Sequence, residues 1–206
     1  MPELSQPKDT TIIGQEAEQV WVGWRTQQAN SLQADTLQLL ESVLSNGKAG
    51  LFDLDLNQTM KVQRAYATPE LMHDHGGFIL MGVPKEGQTL EEVRSLMLAE
   101  IDKLKTGDFP ENLLPSIINN MKRTHYELLE YNEGRADMFV DAFINEVDWQ
   151  QEVGRIDRIS KITKQQLVAF ANRFFTDGYA TVFKKQGVDP SQKKIDKPAI
   201  TPIQES

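Results

Sequence analysis

From Gln19 to Trp24 the chain alternates, with Val20, Val22 and Trp24 on one side and Gln19, Trp21 and Gly23 on the other, the period-two pattern of a strand. The period then lengthens. Leu37, Leu40, Val43 and Leu44 fall on one helical stripe, and Gly47 is placed to end that helix. A weaker helix is expected within residues 51–60, followed by strands at 62–67 and 77–83. The segment His73-Asp74-His75 lies between those strands and reads as the connection of a hairpin.

The second half is helical. Thr89 with Glu92 forms a capping box ahead of a stripe of Leu90, Val93, Met97, Ile101 and Leu104, closed by lysines and Gly107. Asp108 with Glu111 suggests another cap, and Pro115 is expected to kink or restart the helix there. Ile117, Ile118, Met121, His125 and Leu128 then recur at threes and fours. After Gly134 a helix is expected to bury Ala136, Phe139, Val140, Phe143 and Val147, with a short helix around Trp149, Val153 and Ile156. Thr163 with Gln166 caps a last helix whose stripe is Leu167, Phe170, Ala171 and Phe174. A strand at 179–185 follows, then a proline-punctuated tail without periodicity.

Helices that follow a central hairpin predict an α+β fold, a two-layer α/β sandwich with a mainly antiparallel sheet and helices on one face. The expected organisation is an extended lead-in at 1–15, a single domain at 16–187 and a linker or flexible tail at 188–206. The run from Phe78 to Val83 is apolar on both sides, so its second face is expected to meet protein as well.

Composition narrows the function. The 206 residues carry 22 basic and 30 acidic side chains, a net charge of -8 and a pI near 5.0, which argues against a nucleic-acid partner; Lys193-Lys194 is too sparse a cluster to change this. Without cysteine there are no disulfides, iron–sulfur clusters or thiol catalysis. The apolar runs are too short to span a membrane, and the first residues lack the pattern of a signal peptide.

Candidate chemistry is sparse. His73 and His75 share one side of an extended chain, but zinc needs three or four ligands, and the remaining histidine, His125, lies in an apolar helical stripe as a core or boundary residue. Glu127 projects about 200° round the helix from it. The pairs Glu91-Glu92 and Asp53 with Asp55 read as helix-cap or solvent-facing carboxylates rather than acid–base couples. Trp21 and Trp24, on opposite strand faces, are expected to pack one inside the domain and the other against a neighbour. No residue is assigned as catalytic, metal-binding or substrate-binding.

The segments VWVGWR, LLESVLSNGKAGLF, GGFILMGV, LEEVRSLMLAEIDKLKTGDFPENLL, ISKITKQQLVAFANRFF and YATVFKKQG, taken in order over roughly residues 16–187, resemble the second domain of a half-unit in the pitrilysin/insulinase family of zinc metallopeptidases. The resemblance implies halves of two similar α/β domains that close like a clamshell around a peptide. The family's inverted motif H-x-x-E-H supplies two zinc ligands and a general base. This sequence lacks that motif, and Arg135 has no adjacent tyrosine to complete the substrate-gripping pair of some members. The resemblance therefore implies a non-catalytic domain, without a cofactor of its own, that forms part of the peptide-enclosing chamber. Zinc would sit in a partner domain, and bacterial members of the family are often periplasmic or cell-envelope proteins. The alternatives are a scaffold or subunit paralogue of the family and a free-standing α+β binding domain.

Overall fold

The computed structural model describes residues 4–188. Five strands, β1 (Lys8–Gly14), β2 (Gln19–Thr26), β3 (Arg64–Glu70), β4 (Gly76–Val83) and β5 (Ala180–Gln186), form one sheet in the order β1-β5-β2-β4-β3. All neighbours are antiparallel except β1 and β5. The central strands follow their patterns. Val22 lies opposite Leu80 on one side and Thr181 on the other, and Trp24 lies opposite Phe78, all with side chains on the buried face. Residues 8–14, within the segment expected to be an extended lead-in, are extended and pair along β5. Lys8 to Ile13 are exposed, so β1 has no apolar alternation to announce it, and its place is set by the free edge of β5.

The helices cover one face of the sheet, as expected for this class. α1 (Gln33–Leu44) ends two residues earlier than its cap glycine suggested: Ser45 is already extended, and Gly47, at φ 78°, belongs to the following turn. The weak helix becomes a π-helical turn, Asp53–Asn57, in which the N–H of Gln58 donates to the carbonyl of Asp53. α2 (Leu90–Thr106) has both predicted ends, the Thr89–Glu92 capping box and Gly107 in the left-handed region. It lies directly on β4, because a Cβ on Gly82 would stand 2.4 Å from Val93 Cγ1.

α3 (Leu113–Glu130) has no side-chain cap: the expected pair of Asp108 with Glu111 does not form one, and Glu111 pairs with Lys164 at 2.6 Å instead. Pro115 sits in the first turn, where no backbone N–H is required, so it does not kink the helix. α4 (Asn132–Ile144), α5 (Trp149–Val153) and α6 (Arg155–Ile159) lead to α7 (Lys164–Phe174), which begins with the predicted Thr163–Gln166 capping box. Beyond α7, Phe175 packs edge-on to Trp24 at 4.9 Å, and Trp24 Nε1 donates to the Thr176 carbonyl at 2.8 Å. The tail expected at 188–206 lies outside the described residues except for Val188.

α4 is turned the other way from its expected orientation. Its apolar stripe, expected to be buried, faces outward: Phe139 is 56% and Phe143 85% exposed, and Ala136 and Val140 are exposed with them. The helix meets the body of the protein through small residues instead. Gly134 and Ala142 are buried, and a Cβ on Gly134 would stand 2.5 Å from the Leu128 carbonyl oxygen of α3. That close approach fixes the rotation of the helix, so the larger side chains turn away.

The outer face of the sheet has no helix on it among the described residues. Across its middle run Val182, Trp21, Met81 and Tyr66, neighbours in the strand register. Met81 is 8% exposed yet stands outside the main core, while Trp21 keeps 38% of its surface.

Candidate functional site

The turn between β3 and β4 does not bring the two histidines together on a third ligand. His73 Nδ1 lies 2.9 Å from Asp74 and its Nε2 3.2 Å from Glu146, in the loop after α4. These two carboxylates, Glu146 foremost, raise the His73 pKa above its ordinary value. His75 is exposed and takes no part. His125, partly buried, stands edge-on to Tyr126 at 5.7 Å, a boundary position. Among the described residues no group of three or more His, Asp or Glu side chains is gathered as a metal ion requires. The described residues thus do not fit zinc.

The flagged carboxylates are structural. Glu92 accepts from the backbone N–H of Thr89 at 2.8 Å in its capping box. Asp53 departs from its solvent-facing reading: it is buried, and Oδ2 accepts from the N–H groups of Asn46, Lys48 and Gly50 at 2.8, 3.1 and 3.0 Å, closing the loop between α1 and the π-turn. Asp55 shares the Lys103 ammonium (2.6 Å) with the buried Glu100 (2.9 Å). The Lys103 hydrogen bond lowers the Asp55 pKa, whereas burial raises that of Glu100. Their separation of 45 positions hides this cluster from the sequence.

A second network ties α1 to α5 and α6. Buried Asp35 receives Arg158 Nε at 2.7 Å and lies 3.5 Å from Arg155 Nε, whose Nη2 holds Glu152 at 2.7 Å. Beside it opens a cavity of about 550 Å³, lined by Glu41 of α1, Glu70 at the end of β3, Asp141 of α4, Asn145 just after that helix, and Glu152 with Arg155. Burial alone pushes the Glu41 pKa from 4.5 to about 7. Among the described residues no ion pair or hydrogen bond reaches the Glu41, Glu70 or Asp141 carboxylates. Glu41 shares the helical period of α1, so nothing in the sequence marked it. The cavity offers negative charge to a cation but no nucleophile paired with a base.

No protein-family model matches the sequence, and no curated protein is similar enough in sequence to match it. Solved structures do share the fold. A protease from Helicobacter pylori superposes on 89% of this chain and 45% of its own, with TM-score 0.84 and 21% identity. The peptidase M16 inactive domain from Pseudomonas fluorescens covers 94% of this chain and 46% of its own, with TM-score 0.75 and 12% identity. An inactive peptidase domain from Bordetella parapertussis covers 82% and 92%, with TM-score 0.69 and 13% identity. The chain spans less than half the length of the first two and most of the third. It shares its fold with M16-type peptidases and their inactive domains, the architecture the resemblance implied.

Proposed function

We propose that this chain is a non-catalytic domain of a pitrilysin-type zinc metallopeptidase. Residues 16–187 act as one unit, extended by the strand at 8–14, which packs on a zinc-bearing domain elsewhere in the parent protein and forms part of the wall of a peptide-enclosing chamber. The observation that carries this reading is a conjunction. The peptidase fold extends over nine-tenths of the chain, while no two of the histidines, at 73, 75 and 125, stand the four residues apart that the inverted zinc motif requires. The apolar row of Trp21, Met81, Tyr66 and Val182, on a sheet face that carries no helix among the described residues and where Trp21 keeps 38% of its surface, supports the packing role.

Two measurements test the proposal. After dialysis the purified chain should hold no stoichiometric zinc and should leave a quenched peptide substrate intact; one tightly bound zinc per chain, or hydrolysis by the chain alone, overturns it. Co-expression with the preceding part of the parent reading frame should give a stable complex that Trp21→Asp weakens. An intact H-x-x-E-H in that part supports the peptidase, and a degenerate one assigns the parent to a scaffold instead.

A further inference from the structure

α4 has two kinds of surface. Gly134 fits it closely to α3 and Ala142 is buried, which leaves Phe139, Val140, Phe143 and Ile144 on the solvent side, each more than half exposed. Phe139 is stacked on Trp149 of α5, with ring centroids 4.1 Å apart and 17° between planes, so part of this platform is ordered before anything binds. Four adjacent large apolar residues on one exposed helix face exceed the scattered exposure usual for a surface.

The surroundings have one sign. Residues 126–153 contain eight carboxylates and a single basic residue, Arg135, whose guanidinium is engaged by the Leu129 carbonyl and the Asn132 side chain. On the flank of α4 lies the cavity of about 550 Å³, lined by Asp141 of the same helix with Glu41 and Glu70, three carboxylates that no ion pair reaches among the described residues, while Arg155 in the same wall is held by Glu152. A recess of that size admits the alkyl stem of a lysine or arginine and brings its charge to these groups.

We propose that the outward face of α4, with Trp149 of α5 and the carboxylate-lined cavity beside it, docks a helix of a partner protein that carries an apolar stripe flanked by lysine or arginine. Such a helix lays its stripe along Phe139, Val140 and Phe143 and sends one basic side chain into the cavity. A second copy of this chain does not suit the face: a two-fold contact centred on α4 sets one acidic rim against the other. The surface lies on the helical side of the molecule, away from the uncovered face of the sheet. The inference is therefore independent of the peptidase reading and stands or falls separately.

The probe is a fluorescent amphipathic helical peptide of about five turns, with leucines on one face and lysines on its flanks, titrated by polarisation against the full chain at physiological ionic strength. Saturable one-to-one binding is expected. Phe143→Asp should weaken it about tenfold or more, as loss of a central anchor does, without changing thermal stability because the side chain is exposed. Glu41→Gln with Asp141→Asn should weaken it several-fold, and a matched peptide with glutamates in place of lysines should not bind. Absence of saturable binding, equal binding of the glutamate peptide, or full affinity in Phe143→Asp overturns the proposal. So does a dimer of the chain alone, seen by sedimentation, that Phe143→Asp dissolves, since that would assign the face to a second copy.

Discussion

Replacing Glu41 by glutamine removes one ionisable group from the cavity wall and preserves its size. In the folded chain burial raises the Glu41 pKa from 4.5 to about 7, and the groups facing it are Glu70, Asp141, Glu152 and Arg155. A carboxyl whose folded pKa is raised keeps a proton that the unfolded chain gives up. Its contribution to stability is therefore whole below about pH 4.5 and is lost as the pH rises through about 7. The difference of about 2.5 would be worth about 3.4 kcal/mol at 1.36 kcal/mol each. Glu41 is only partly buried and retains some hydration, so about half of that, ~1–2 kcal/mol, is the expected effect. Urea unfolding of the native chain and of Glu41→Gln at intervals from pH 4 to pH 8 measures it. The two should differ little at pH 4, and the variant should gain ~1–2 kcal/mol relative to the native chain by pH 8, about 2–8 °C in melting temperature for a chain of this size. Parallel curves across the whole range, or a relative gain toward acid, would refute the argument that burial holds this carboxyl protonated.

Three further outcomes are expected. Gly82→Ala should destabilise the fold by about 1–3 kcal/mol in urea unfolding, because its new methyl would meet Val93 of α2 at 2.4 Å and the strand and helix must separate to admit it; a neutral substitution would show that α2 does not rest on β4 as described. Arg158→Ala should cost about 1–3 kcal/mol by leaving the buried Asp35 only the longer contact of Arg155, and Asp35→Asn combined with it should recover part of the loss; an unchanged melting curve would count against the network. In an NMR titration His73 should deprotonate above its ordinary pH, and Glu146→Gln should bring that midpoint down. Any stability from this exposed pair is present below the ordinary histidine pKa and fades as the pH rises through the raised one. A midpoint that ignores Glu146→Gln would remove the contact.

Local chemistry was enough to place much of this chain. Alternation from Gln19 to Trp24 determined β2 and which side chains share each of its faces, and Thr89–Glu92 and Thr163–Gln166 placed two helix starts to the residue, because a cap is completed by side chains three positions apart. The segment 73–75 was also legible as the connection of a hairpin, and it joins β3 to the antiparallel β4. Tertiary structure decided the rest. β1 lacks apolar alternation and owes its position to a strand more than 160 residues away. The stripe on α4 was read correctly as a stripe but assigned the wrong neighbour. Periodicity tells which side chains share a face, whereas the contact of Gly134 with Leu128 determines which face is covered. Glu41, Asp35 and Lys103 likewise acquired their surroundings only when distant segments closed around them, because burial and charge pairing depend on what lies nearby in space, and sequence separation carries no record of that.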